Sequence, residues 1–189
     1  MDAIDRKIIS QLQLDGRTTL EELGKIVGYT SMGVKKRLKK LLEQDIIRVS
    51  ALVNIEPLKL CAAIVLLEME SAEVMQKLLE RFKDCPRVVR IFTTLGGYNL
   101  IALVVAEDQD TLESISMEKC SLRSSEGIRR SEFYPIGKVY YSPFLPIRER
   151  LTHKEKTATP CNVDCRPCSR YQAEKCVGCP AMSYYKGTL

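Results

Sequence analysis

The chain is poor in the groups on which enzymes most often depend. It has a single histidine in 189 residues. It has no glycine-rich loop of the kind that cradles phosphates, and no carboxylate pair in a setting that suggests acid–base work. Enzymatic chemistry is therefore not expected. Long apolar runs are also missing. The longest, Leu60–Leu67, falls well short of the roughly 18 residues that span a bilayer, so no membrane partner is expected. The opening stretch MDAIDRKIIS carries acids and lacks a basic start followed by an apolar core, so no secretory leader is expected. A cytoplasmic, reducing setting follows. There, clustered cysteines are metal ligands or redox-active groups before they are disulfides.

What is present divides into three parts by charge. Residues 1–50 hold ten Lys and Arg against seven Asp and Glu, a net of +3. Residues 51–141 hold eleven against thirteen, a net of −2, and residues 142–189 hold eight against four, a net of +4. A mildly acidic middle between basic ends points to units with different partners.

The first part reads as three short helices. Ile4, Ile8, Ile9, Leu12 and Leu14 recur at near-helical spacing after Asp2 and Asp5, which favour a helix N-terminus, and Gly16 stops the run. Thr18 or Thr19 can cap a second helix, with Glu21 and Glu22 placed as in a capping box; Leu20, Leu23, Ile26 and Val27 face inward and Gly28 ends it. Thr30 caps a third, from about Ser31 to Gln44. The short GYT connection makes this a helix-turn-helix. On the third helix Val34, Leu38, Leu41 and Leu42 form the inward stripe. Met32, Lys36, Lys39 and Lys40 fall opposite, flanked by Gly33 and Lys35. Such a face suits a DNA major groove, with Thr30, Ser31, Met32 and Lys36 near base edges or nearby phosphates and Lys35, Lys39 and Lys40 on the backbone.

Residues 2–48 resemble the DNA-binding domain of the Lrp/AsnC transcription regulators. The shared pieces are Asp2 and Asp5, Asp15-Gly16-Arg17, Leu23-Gly24 followed by Val27-Gly28, and Arg37 followed by Leu41. The family often carries a proline or two at the positions of Ser31 to Gly33, where Gly33 here loosens the first turn.

The second part alternates strand, helix, strand, strand, helix, strand, the ferredoxin-like βαββαβ order. One face of its sheet needs a cover, and a second copy is the simplest. The resemblance extends here. It implies a ligand-sensing domain that dimerises through its sheet and often assembles further, with a small-molecule pocket, often for an amino acid, lined near a Gly-x-Tyr-Asp turn. This chain has Gly96, Gly97, Tyr98 and Asn99. The glycines permit the left-handed backbone of a tight turn, and the amide of Asn99 removes the charge that would hold an ammonium group. Cys61, Cys85 and Cys120 read as small hydrophobes at element ends.

The third part follows a segment with three prolines and a charge run, read as a linker that contains His153. The tail then reads Cys161-x3-Cys165-x2-Cys168-x7-Cys176-x2-Cys179-Pro180. Two CxxC knuckles can gather four thiolates on a metal, and Lys175, Arg166 and Arg170 would offset their charge. The short gap fits a small zinc knob. The terminal Cys-Pro and the three closely spaced thiolates fit a [4Fe–4S] cluster. Zinc is slightly preferred, and Cys165, Cys168, Cys176 and Cys179 are the favoured set with Cys161 as the fifth candidate. So short a module needs a staple to fold.

The expected architecture is therefore an α+β multi-domain chain. A winged helix-turn-helix at 1–48 leads through a linker strand at 49–60 to a ferredoxin-like sensor and dimerisation domain at 61–141. A linker at 142–160 leads to a metal-stapled cysteine module at 161–189. The expected role is a homodimeric or larger regulator of transcription that binds double-stranded DNA, with metal or redox input through the cysteines and a possible amino-acid effector. The alternatives are a metal or amino-acid sensor that does not bind DNA, or an electron-transfer protein.

Overall fold

The first helix of the computed structural model, α1 (Ala3–Leu14), starts at the acids that open the sequence. Asp2 accepts hydrogen bonds from the backbone N–H groups of Ile4 and Asp5, and Asp5 accepts from the N–H of Asp2, each at 2.9 Å. This reciprocal arrangement satisfies donors that a bare helix end would leave unpaired. The described residues are 1–147 and 158–188, in two compact units, Met1–Ala51 and Leu52–Leu189. His153 lies outside the described residues.

In the first unit, Thr19 and Glu22 form the capping box of α2 (Leu20–Val27), and Thr30 caps α3 (Ser31–Glu43) by accepting from Gly33 N–H at 3.1 Å. A side chain at Gly24 would sit 2.6 Å from the Tyr29 carbonyl oxygen, so the turn into α3 closes only over a glycine. Ile8, Leu23, Val27 and Val34 meet in the core. Ile26 and Leu42, expected inward, are instead 49% and 43% exposed, and Leu14 at the end of the first apolar run is 81% exposed. Three short helices around so small a centre bury less than one residue per turn on average, not a full stripe. The expected wing is also absent: no strand occurs in residues 1–51. A wing needs two strands joined by a hairpin turn, and the extended run after Asp45 has no second turn. It leads straight to β1 (Val53–Asn54) in the second unit.

The second unit holds β2 (Cys61–Met69), α4 (Ala72–Phe82), β3 (Val88–Thr93), β4 (Leu100–Ala106), α5 (Gln109–Met117) and β5 (Ile128–Pro135). The four long strands form one antiparallel sheet in the order β3-β4-β2-β5, the ferredoxin-like arrangement, with Val65 of β2 opposite Ala102 and Phe133. Alternation divides the sheet's side chains. Ala63, Val65, Leu67 and Met69 join Leu100, Ala102 and Val104 beneath Leu78 and Phe82 of α4 and Leu112 of α5. On the opposite face Ala62, Val89 and Val105 are covered by the chain's own Ile55 and Leu60, whereas Phe92 and Tyr134 stay 55% and 52% exposed.

The segment expected to be a linker is structured where it is described. Phe144–Leu145 forms β6, paired antiparallel with β1. Pro143 and Pro146 flank this edge pair without entering it, so neither removes a hydrogen bond between the strands. The cysteine tail is not a separate compact unit either. It belongs to Leu52–Leu189, with Cys161 in the helix-side core of the α/β body and with Ala181, Met182 and Tyr185 buried. A one-turn helix, α6 (Ser169–Gln172), follows Cys168.

Candidate functional site

Three places carry chemistry. The first is the outer side of α3. Ser31, Met32, Lys35, Lys36, Lys39 and Lys40 are all exposed there, and Lys39 makes a surface pair with Glu43 at 3.5 Å. Thr30 sits at the start of this face, but its hydroxyl is engaged as the cap. What orients α3 is a residue the sequence reading quoted only as part of a motif. Arg37 donates to Asp2 at 2.7 Å and to Asp5 at 2.8 Å, and lies 5.2 Å from the Tyr29 ring centre. These contacts raise the affinity of the guanidinium for its proton, Asp2 contributing first. The backbone N–H of Asp5 and then Arg37 hold the Asp2 carboxyl below its usual range. The acids of α1 thus cap their own helix and brace α3, leaving the lysines free of that task.

The second place is the turn between β3 and β4. Neither Gly96 nor Gly97 adopts the left-handed backbone expected of them. The turn is instead closed by hydrogen bonds: Thr94 N–H donates to the Asn99 carbonyl at 3.1 Å, and Asn99 N–H to the Leu67 carbonyl at 3.1 Å. The Asn99 amide spans to the neighbouring strand. Its oxygen accepts from Met69 N–H at 2.8 Å and its nitrogen donates to the Met69 carbonyl at 2.9 Å. A carboxylate could make the first of these bonds but not the second, which gives a local reason for asparagine here. Tyr98 lies under the Arg130 guanidinium at 4.9 Å, and its hydroxyl donates to Glu132, which also accepts from Tyr134. Those two hydroxyls, Tyr134 foremost, and Arg130 hold the Glu132 carboxyl down at about 2.

The third place is a cavity of about 50 Å³ inside the second unit. Cys161, Cys165, Cys176 and Cys179 of the tail line it together with Cys85, just beyond α4, and Cys120, just beyond α5. Cys168 is not on its wall. Much of the remaining wall is apolar, from Val65, Phe82, Val104 and Ile115. Burial pushes the thiols up, Cys165 to about 11 and Cys179 to about 12, and Cys85 and Cys120 upward as well. Among the described residues no three His, Cys, Asp or Glu side chains stand close enough together to hold a metal ion.

The tail is held against the body by specific bonds. Ser114 Oγ donates to the Lys175 carbonyl at 2.9 Å, and Arg81 Nε to the Cys161 carbonyl at 3.3 Å. Arg87 donates to the Gly178 carbonyl at 2.7 Å and pairs with Glu107, their side chains only 8% and 6% exposed. Gly178 has a φ of +87°, and a side chain there would meet the Tyr171 ring at 2.9 Å, so the second knuckle needs glycine on both counts. Of the three cations expected to offset the thiols, Arg166 pairs with Asp164, Arg170 pairs with Glu113, and Lys175 is exposed. The buried cation on the cavity wall is Arg87, from the α/β body.

Cys85 and Cys120 pack against the helix-side core, as small hydrophobes should; what the sequence reading did not anticipate is that they line the same cavity as the tail's cysteines. One signal was available: Cys85-Pro86 repeats the Cys179-Pro180 of the tail.

Comparison with known proteins agrees with the fold. The AsnC-type helix-turn-helix domain matches residues 1–42, and the Lrp/AsnC ligand binding domain matches residues 62–142. The HTH-type transcriptional regulator FL11 of Pyrococcus furiosus is 30% identical over 132 residues, covering 67% of this chain and 85% of that protein. The chain belongs to the Lrp/AsnC family. E. coli AsnC superposes with a TM-score of 0.64 at 21% identity, covering 75% of this chain and 95% of its own. A Neisseria meningitidis transcriptional regulator, solved as its L-Met complex, gives a TM-score of 0.68 at 21% identity, with 75% and 93% covered. As an Lrp/AsnC member the chain is a DNA-binding transcriptional regulator and not an enzyme. Neither matched segment reaches the cysteine tail. No helix among the described residues is long and apolar enough to cross a membrane.

Proposed function

We propose that this regulator reads a specific palindromic duplex as a homodimer, and that it takes a metal or redox input through its cysteine tail. The observation that carries the reading is the exposed side of α3. It offers Ser31 and Met32 at the helix start and Lys35, Lys36, Lys39 and Lys40 beyond them, while Arg37 is reserved for bracing. Small and flexible side chains at the start approach base edges, and lysines further along meet phosphates. Dimerisation is supported by the sheet face that the chain leaves uncovered at Phe92 and Tyr134. The setting is cytoplasmic, where the eight cysteines stay reduced or metal-bound.

An amino-acid effector at the turn of Gly96, Gly97, Tyr98 and Asn99 is part of the proposal, supported by the L-Met complex of the Neisseria regulator. With Asn99 committed to Met69, an effector's ammonium group would turn to Glu132, which Tyr98 already contacts. Isothermal titration with the twenty amino acids tests this part; flat traces for all would remove it. The DNA reading is tested by footprinting on the chain's own genomic fragments. Lys36→Ala should weaken specific protection, and an unchanged footprint would remove α3 from the groove. Metal analysis of anaerobically purified protein tests the tail: metal-free protein that binds neither iron nor zinc on reconstitution would end the metal input.

A further inference from the structure

Six of the chain's eight cysteines line one partly open cavity, although they come from widely separated parts of the sequence. Chance burial of small hydrophobic side chains would scatter them through the core, as Cys61 is scattered at the start of β2. Here they face one another. Cys120 stands within electrostatic reach of Cys161, Cys165 and Cys176, and Cys179 within reach of Cys85 and Cys161. Backbone N–H groups lie near several of the sulfurs and ease their loss of a proton: those of Arg87 and Val88 near Cys85, of Ala181 near Cys179, and of Cys179 near Cys165. At both Cys-Pro sequences the proline has no N–H of its own, so the donors come from the residues just beyond it. Such N–H groups tune thiolates that bind metal clusters. The buried Arg87 supplies positive charge on the same wall.

The spacing of the sulfurs selects the kind of centre. Zinc, whether one ion or a pair, draws thiolates to within about 2.3 Å of a point. Here the thiols are spread over the wall of a cavity of about 50 Å³. A cubane cluster carries its irons at the corners and fills the space between its ligands with its own sulfide.

We propose that this cavity binds a [4Fe–4S] cluster ligated by Cys161, Cys165 and Cys176 of the tail and by Cys120 of the α/β body, with Cys168 outside the ligand set. This rests on the reading of the tail as a metal input and changes where that input arrives. The cluster is built into the core of the sensor domain, so its gain or loss acts on α5 and the sheet directly. Binding exchanges four thiol protons for four iron–sulfur bonds, with ferrous and ferric iron in equal amounts and sulfide as the components, so that no iron changes its oxidation state.

The test uses the full chain, reconstituted anaerobically with equal amounts of ferrous and ferric iron and with sulfide, beside a parallel sample given zinc alone. The wild type should bind roughly four irons with matching sulfide and absorb broadly in the visible. Cys120→Ala should lose most of that iron, while Cys168→Ala and Cys61→Ala keep it. Far-ultraviolet circular dichroism of the metal-free variants checks that each still folds. Full iron in a folded Cys120→Ala variant would overturn the shared site while leaving a metal-binding tail. One or two tightly held zinc ions, with no cluster formed, would overturn the cluster. A wild type that takes up neither metal would overturn this inference together with the metal input it rests on.

Discussion

Replacing Arg87 by alanine should destabilise the second unit more than any surface change. Arg87 and Glu107 form an ion pair with side chains 8% and 6% exposed, and Arg87 also donates to the Gly178 carbonyl at 2.7 Å. Removing one partner of a buried pair leaves an uncompensated charge and typically costs about 3–5 kcal/mol. For a chain of this size that corresponds to a fall in melting temperature of roughly 10 °C. The cost comes from the stranded Glu107, so removing both charges should recover much of it. Arg87→Met with Glu107→Gln leaves an acceptor for the Tyr185 hydroxyl, which donates to Glu107. This double variant should cost roughly half as much as Arg87→Ala or less. The assay is urea unfolding of metal-free protein followed by circular dichroism. A loss below about 1 kcal/mol for Arg87→Ala, or a double variant as unstable as the single, would refute the argument.

Further outcomes follow from the same geometry. Asn99→Asp keeps the bond from Met69 N–H and loses the one to the Met69 carbonyl, so urea unfolding should register a loss of about 1–3 kcal/mol. Gly178→Ala forces a side chain into the left-handed region and against Tyr171; it should cost about 1–3 kcal/mol and expose the tail to limited proteolysis. Glu132 has its carboxyl depressed from the usual 4.5 to about 2. Its contribution to stability is therefore complete above 4.5 and is lost as the pH falls toward 2. Glu132→Gln should flatten the acid unfolding curve over that interval, and an unaltered curve would mean that the Tyr98–Glu132–Tyr134 contacts are not maintained in solution.

The helices of the first unit were legible because their signals are local. Thr18 or Thr19 and Thr30 announce themselves as caps by residue type and spacing, and the structure uses Thr19 and Thr30; Asp2, read only as an acid that favours the helix start, is the cap of α1. The βαββαβ order was legible because β2 and β4 are strongly apolar runs, each followed by a capped helix. What escaped was long-range. Arg37 meets Asp2 and Asp5 across more than thirty residues, and only their shared place in a family motif hinted at it. Cys85 and Cys120 join the tail's cysteines through the packing of α4, α5 and the tail, which no spacing encodes. The pairing of β1 with β6 was hidden for the same reason, with two prolines beside it arguing for a linker. Asn99 looked like the loss of a ligand contact, and only its bonds to Met69 give it a structural purpose.

The central claim is that α3 reads DNA through its lysine face. The most direct measurement is the dependence of the DNA dissociation constant on salt for the wild type, Lys39→Ala and Lys40→Ala. Each lysine that meets a phosphate contributes about one unit to the slope of log affinity against log salt. The account predicts a steep slope for the wild type and a shallower one for each variant, with affinity reduced about equally on specific and random duplexes. Variants whose slopes match the wild type would contradict it.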